Sequence, residues 1–124
     1  MIDWTKSDYP ENCPPKDSIE YSGSIFVFVK HNPPKQKDFL SAYDKKRLPE
    51  ADPCLRRAIS CGTNIEYLNS IKKLFPFTKG WKKAKGNVSK NDGLIKQTGN
   101  QILHFSFWIS PEKRSSFHTL FEMV

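Results

Sequence analysis

The sequence contains no long apolar run and few cysteines. No apolar stretch of about 18 residues occurs, which excludes a membrane-spanning helix. The three cysteines, Cys13, Cys54 and Cys61, are odd in number and form no CxxC pair. The first residues include acidic side chains where a signal peptide would have an apolar core. We therefore predict free thiols and a cytoplasmic location.

Familiar catalytic and metal-binding motifs are also missing. The six glycines form no phosphate-binding loop, and neither a nucleophile elbow nor a clustered carboxylate pair occurs. The three histidines and three cysteines lack the spacing of a zinc finger, zinc ribbon or metalloprotease helix. We predict no metal site and, in the preferred interpretation, no cofactor.

Basic and aromatic residues are what the sequence has in excess. Its 124 residues include 20 basic and 13 acidic side chains, a net charge of +7, and aromatic residues make up 13%. The apolar content suffices for a core without disulfides. The positive charge favours an anionic partner, whether nucleic acid, a nucleotide or an acidic protein, although it also serves ordinary solubility.

The pattern of apolar residues predicts one α+β domain over residues 23–124, preceded by an N-terminal arm, residues 1–22. A β-branched and aromatic run predicts a strand over 24–30, and a short strand is predicted over 55–61. Two helices are predicted, at about 35–46 and 64–75, the second with a capping box that begins at Thr63. Residues 76–92 are expected to form a loop. The sheet is predicted to be small and mixed or antiparallel.

A C-terminal hairpin is predicted over residues 93–109. Gly99-Asn100 suits a two-residue turn, which would place Ile95 opposite His104. Alternation along the second strand would put His104, Ser106 and Trp108 on one face, with Gln97 beside them. Such polar and aromatic groups suit the wall of a pocket. The tail, residues 116–124, fits either a helix or a strand, and we favour a strand.

Two clusters of cationic residues are candidate anion-binding sites. A guanidinium before the Thr63 helix could bind phosphate or carboxylate in a bidentate manner, or simply pair with Asp52 or Glu50 at the surface. The segment 78–90 contains lysines around a tryptophan and no acid, so it could contact phosphates and stack on a base, or could be ordinary solvated surface. The predicted binding residues are Arg56, Arg57, Lys79, Trp81, Lys82, Lys83, Lys85, Gln97 and Trp108.

Four residues are candidates for catalysis under an alternative interpretation: His31, Arg57, Ser60 and His104. His31 is expected at the end of the first strand and His104 in the middle of the last. Either imidazole could act as a general base or could be a structural group with a satisfied hydrogen bond. If the two strands are neighbours, the histidines would form one site with Ser60 and Trp108.

Residues 31 to about 109 resemble a set of small uncharacterised bacterial proteins. The resemblance is carried by HNPP at 31–34, DFLS at 38–41, DPC at 52–54, the segment 59–63, GLIKQTG at 93–99 and HFSFW at 104–108. It implies no activity. The chain also resembles ADP-ribosyltransferase-type toxins in having a histidine on an early strand and a serine on a short strand before a helix. It departs from them in lacking a recognisable catalytic glutamate on a late strand.

The preferred interpretation is a bacterial or phage recognition domain that binds an anionic partner, in a defence or toxin context. The first alternative is a small toxin enzyme that uses a nucleotide, with NAD as the cofactor implied by the resemblance to ADP-ribosyltransferases. The second is an assembly subunit or inhibitor whose protein partner is encoded nearby. No membrane partner is expected.

Overall fold

Seven strands form two antiparallel sheets in the computed structural model, which describes residues 2–6 and 8–124. Mixed α and β structure was expected and is found, but the part described contains only one α-helix, α1 (Glu66–Leu74). The strands of the four-stranded sheet lie in the order β1 (Ile19–Glu20), β5 (Gly93–Gln97), β6 (Phe105–Ile109) and β3 (Ile59–Cys61). Those of the three-stranded sheet lie in the order β2 (Gly23–Val29), β4 (Lys82–Val88) and β7 (Phe121–Met123).

The core lies between the two sheets. Alternate residues of β2, namely Ile25, Val27 and Val29, are buried, as alternation along a strand requires when one face packs inward. Phe107 and Ile109 from β6 join the same apolar cluster. The sheets are joined where Phe26 and Gly62 exchange main-chain hydrogen bonds of 2.8 and 3.0 Å. This junction holds β2 beside β3, and the two strands border the groove described below.

The predicted helix over 35–46 is wrong. A short 3-10 helix, Gln36–Phe39, is followed by turns, and Lys46 and Leu48 have φ angles of 57° and 54°. The cause is local side-chain bonding, which offers the backbone an alternative to the helix. The Asp44 carboxylate accepts hydrogen bonds from the amide and hydroxyl of Ser41, both at 3.0 Å. The segment therefore becomes an irregular loop that presents its cations to solvent.

The second predicted helix is present as α1, but its cap differs. The predicted Thr63 capping box does not form, and the Asn64 Oδ1 accepts from the amide of Glu66 at 2.9 Å. Gly62 is required just before this helix, because a methyl group there would lie 2.4 Å from the Cβ of Tyr67. That close approach packs Tyr67 against the end of β3.

Other segments also differ from expectation. Residues 55–61 divide into a 3-10 helix, Leu55–Arg57, and the strand β3, rather than forming one strand. The predicted loop over 76–92 contains β4, the central strand of its sheet. The tail combines a 3-10 helix, Phe117–Leu120, with β7. No helix in the described ranges is long and apolar enough to cross a membrane.

The predicted tight hairpin is wrong in its turn and register. β5 and β6 pair antiparallel, but residues 98–104 join them, and Ile95 lies opposite Phe107 rather than His104. The connection is wider than two residues because Gln97 Nε2 donates to the carbonyls of Thr98 and Gln101 at 3.2 and 2.9 Å. The shift places His104 in the connection, just before the start of β6, where its side chain contacts Ser60 of β3.

The prediction of free thiols is wrong for two of the three cysteines. Cys13 and Cys54 form a disulfide, and Cys61 is free and buried. The N-terminal arm packs along the four-stranded sheet: β1 pairs with β5, and the Tyr9 hydroxyl donates to the carbonyl of Ile109 at 2.9 Å. The disulfide thus fixes the arm to the segment that precedes β3.

Candidate binding groove and serine–histidine pair

An open groove runs between the end of β2, the irregular loop after it and the first residues of β3. It has two parts of about 360 and 620 Å³, which share lining residues, among them Phe28, Lys45, Arg47 and Trp81. His31 lies at the narrower part and Ser60 at the wider part. We call this feature the basic groove, and its lysine and arginine lining residues are Lys30, Lys37, Lys45, Arg47 and Arg56.

The cations of the basic groove outnumber its acids by five to one. Asp38 is the acidic residue among its described lining residues. Partial burial lowers the pKa of Lys45, and the positive charges of Arg47 and Lys30 lower it further. Neighbouring like charges that destabilise one another in this way are stabilised when an anion binds among them. The groove is therefore electrostatically suited to an anionic ligand.

Aromatic rings form one wall of the groove. Trp81, which precedes β4, is 38% exposed and makes an edge contact with Phe28 at 5.5 Å between ring centroids. Phe77 also makes an edge contact with Trp81, at 5.6 Å between ring centroids. These contacts hold the indole in place while leaving part of its surface accessible to solvent. A planar ligand can stack there beside the cations.

The only acid of this lining is already engaged in hydrogen bonds. Asp38 has a side chain that is 2% exposed, and its carboxylate accepts from the amides of Lys30 and Lys35 at 3.0 and 2.9 Å. His31 Nδ1 lies 2.9 Å from the same carboxylate. Burial acts to raise the pKa of Asp38, but the hydrogen bonds outweigh it and hold the pKa below its usual value. Asp38 therefore organises the loop rather than repelling an anion.

Replacing Asp38 by Asn should lower stability at neutral pH by about 2 kcal/mol, because two amides lose a charged acceptor. A depressed carboxyl pKa stabilises the folded state above the pKa of the unfolded chain. This stabilisation disappears as pH falls through the lowered pKa of Asp38. The difference between wild type and D38N, measured by urea unfolding, should therefore shrink in acid.

Asp17 offers the matched control for this experiment. It pairs with Lys96 at 3.0 Å, but its side chain is 69% exposed, and exposed ion pairs contribute little. Asp17→Asn should leave the free energy of unfolding nearly unchanged at both pH values. A D38N variant as stable as wild type at neutral pH would contradict the role given to Asp38.

Ser60, which lines the wide end of the groove, is brought together with His104, which does not itself line the groove. Ser60 is exposed on β3, and its Oγ lies 3.1 Å from His104 Nε2. His104 Nδ1 lies 2.9 Å from the carbonyl oxygen of Thr98. A carbonyl can only accept, so Nδ1 carries the proton, and in the neutral ring Nε2 accepts from the serine hydroxyl. The orientation matches that of a nucleophile and its general base.

Further contacts support this pair from behind. The Thr98 hydroxyl lies 2.7 Å from the Ser106 Oγ and 3.2 Å from His104 Nδ1. The ring of Tyr67 packs beside the imidazole, at 5.7 Å between centroids. Burial raises the pKa of Tyr67 to about 12, so its phenol stays neutral. The imidazole is thus fixed on two sides.

Two of the predicted site residues are not accessible to a ligand. Trp108 is fully buried, and its Nε1 donates to the carbonyl of Cys54 at 3.0 Å, so it offers no stacking surface. The Arg57 side chain is 6% exposed, pairs with Asp8 at 2.7 Å, and lies over the Tyr43 ring at 3.4 Å. Both side chains stabilise the packing of the arm and the loop.

The other predicted binding residues are divided between the groove and the surface around it. Trp81 and Arg56 line the groove. Lys82 Nζ donates to the carbonyl of Lys30, and Lys83 Nζ to Asn69 Oδ1, so both bond to groups of the protein itself. The rest do not line it: Lys79 is exposed, Lys85 lies opposite Glu122 on β7, and Gln97 bonds within its own loop.

Most of the groove cations were not predicted from the sequence. Lys30, Lys37, Lys45 and Arg47 line the groove, although none of them was singled out. The basic triplet at 45–47, close to the prolines that follow it, could have indicated an exposed basic loop. It was not considered because it falls within the predicted helix over 35–46. The four residues expected to share one hollow are also separated, since only Ser60 and His104 touch.

Among residues 2–6 and 8–124, no group of three or more histidine, cysteine, aspartate or glutamate side chains is arranged to hold a metal ion. Comparisons of the chain with models of protein families, with curated proteins and with solved structures find no significant match. The geometry of the groove and of the serine–histidine pair is therefore the evidence for function.

Proposed function

We propose that this protein is a recognition domain that binds single-stranded nucleic acid, or a nucleotide as its smallest unit, in the basic groove. The observation that carries the proposal is the excess of cations beside an accessible indole, where the single carboxylate is already hydrogen-bonded. Phosphates would lie against the cations and a base would stack on Trp81.

The size of the groove agrees with this class of ligand. Its wider part, about 620 Å³, falls within the range of small-molecule sites, and both parts are open at the surface. An open groove allows a strand to continue past each end, whereas an enclosed cavity would accept only a single nucleotide. The apolar lining near Ile71 and Leu55 can cover the edges of bases.

Trp81→Ala tests the stacking contact. Base–aromatic stacking contributes about 1–3 kcal/mol per base, so the variant should bind a fluorescent oligothymidylate roughly five- to 150-fold more weakly. The measurement is a fluorescence anisotropy titration at low salt. Wild-type binding should also weaken as salt rises, because phosphate contacts release counterions.

Phe75→Ala is the matched control, because Phe75 is also an exposed aromatic residue, at 42%, and it does not line the groove. Its affinity should equal that of wild type. Equal loss in both variants would indicate a general change of the surface, and unchanged binding by W81A would refute the role of Trp81.

A second candidate function is docking of a protein partner, as an assembly subunit or inhibitor. It is favoured by exposed apolar residues beside the groove, where Phe77 is 71% and Leu74 59% exposed. A partner encoded nearby would copurify on coexpression and would bury these side chains. The Phe75→Ala variant would then weaken that complex while leaving oligonucleotide binding unchanged.

The toxin-enzyme alternative has less support. It would need His31, Arg57, Ser60 and His104 around one nucleotide such as NAD. Arg57 is buried against Asp8, and His31 bonds to Asp38 in the narrow part of the groove.

The proposed cytoplasmic location is no longer supported by free thiols, because Cys13 and Cys54 form a disulfide and disulfides persist mainly in oxidising compartments.

A further inference from the structure

We infer that Ser60 and His104 form a nucleophilic pair that hydrolyses esters with an anionic leaving group. This goes beyond recognition by the basic groove, because it assigns a reaction to the wide end of that groove. Ser60 lines the groove with Lys45, Arg47 and Arg56, so a substrate held there by its charge would lie beside the serine hydroxyl.

The protonation pattern of the pair suits base catalysis. The Thr98 carbonyl fixes the Nδ1 proton of His104, which leaves Nε2 as the acceptor of the Ser60 hydroxyl hydrogen at 3.1 Å. In known hydrolases a carboxylate orients the histidine, and here a main-chain carbonyl occupies that place. Ser60 itself is exposed, so a substrate can reach Oγ.

The backbone provides a donor for the negative charge that develops during attack. In a strand, the amides of residues two apart point to the same edge. Gly62 bonds to Phe26 on the edge of β3 away from β6, so the Ser60 amide also points to that edge. Beyond the Phe26–Gly62 junction, the edge of β3 that faces away from β6 borders the groove. The Ser60 amide can therefore donate a hydrogen bond to an oxyanion there.

The lining of the groove indicates the class of ester. Ile59, Ile71 and Tyr67 form an apolar wall near Ser60 that suits a short acyl chain. The cations that line the same part of the groove suit a carboxylate or phosphate on the alcohol part. The substrate class is therefore a short-chain acyl ester of an anionic alcohol.

The reaction balances with water as the only co-reactant. Ser60 Oγ attacks the carbonyl carbon and its proton passes to His104 Nε2. The bond from carbon to the leaving oxygen breaks, and that oxygen takes the proton from Nε2, leaving an acyl group on Ser60. Water then attacks the acyl carbon and gives a proton to Nε2. The bond between the acyl carbon and Ser60 Oγ breaks, Oγ takes the proton from Nε2, and the carboxylic acid is released.

Two assays test the inference: labelling with a fluorophosphonate probe, located by peptide mass, and hydrolysis of two butyryl esters. The first ester releases 7-hydroxycoumarin, and the second releases the anionic 7-hydroxycoumarin-3-carboxylate. Wild type should be labelled at Ser60 and should prefer the carboxylated ester. Ser60→Ala should lose labelling and turnover, and His104→Gln should lose at least about a hundredfold of the rate.

Ser24→Ala is the matched control, because the Ser24 hydroxyl bonds to Asn87 Oδ1 and not to an imidazole. It should behave as wild type. If His104→Gln fails to fold, the exposed Ser60→Ala variant still decides the question. Absence of labelling in folded wild type, or labelling that persists in S60A, would overturn the inference while leaving the oligonucleotide-binding result untouched.

Discussion

Replacing Lys45 and Arg47 together by glutamate should weaken oligothymidylate binding by more than tenfold, the largest loss we expect from two changes in the basic groove. Both side chains line the groove, and neither makes a hydrogen bond or ion pair with the residues that the structure describes. Their charges are therefore available to a ligand. Reversal removes two phosphate contacts and adds repulsion, and each 1.4 kcal/mol lost is about tenfold in affinity.

The control for K45E/R47E is K16E/K113E. Lys16 and Lys113 are exposed and lie outside the groove, and the two double variants share the same net charge, +3 instead of +7. The control should keep most of the wild-type affinity. Equal losses in the two variants would mean that net charge, rather than the groove, attracts the ligand, and the proposed site would be wrong.

Removing the disulfide should have the largest effect on stability. Cys13 and Cys54 are separated by 41 residues in sequence, and a link of that span stabilises by about 4 kcal/mol through loop closure. C13S/C54S should therefore lower the melting temperature by roughly 15 °C. Urea and thermal unfolding would measure the loss, and a reducing agent should reproduce it in the wild-type protein.

The disulfide should also matter to binding. Cys54 immediately precedes the 3-10 helix that contributes Leu55 and Arg56 to the groove, and its carbonyl accepts from buried Trp108.

Cys61→Ala is the control for the unfolding measurements, because the Cys61 thiol is free. The Cys61→Ala variant should still lose stability when a reducing agent is added. If neither C13S/C54S nor reduction changes the free energy of unfolding, the two thiols are not linked in the folded protein.

The parts of the fold that were predicted correctly depend on short-range patterns. The alternating apolar residues of β2 and the apolar stripe of α1 each identify an element within one or two residues of its observed ends. Both patterns reflect burial of one face, which the local sequence records directly.

The parts that failed depend on single side chains or distant contacts. One glutamine widened the turn between β5 and β6, and Asp38 with Asp44 replaced a predicted helix by turns. The pairing of Cys13 with Cys54 depends on how the arm folds back, which no local pattern specifies.

The candidate site shows the same division. Ser60, His104 and Trp81 were all singled out from the sequence; the first two are in contact, and Trp81 is partly exposed. The cations of the groove are spread over residues 30–56, and only the folded loop brings them together. Alternation alone could not reveal that Trp108 is buried, because both faces of β6 are covered there: Phe107, Trp108 and Ile109 are all buried.

The most direct test of the account is the salt dependence of oligothymidylate binding by wild type and by K45E/R47E. A plot of the logarithm of affinity against that of salt concentration should be steep for wild type. The slope for the variant should be smaller in magnitude by about 1.4, which is the contribution of two phosphate contacts on a single strand. Identical slopes for the two proteins, or wild-type binding that is independent of salt, would contradict the assignment of the basic groove as the site of binding.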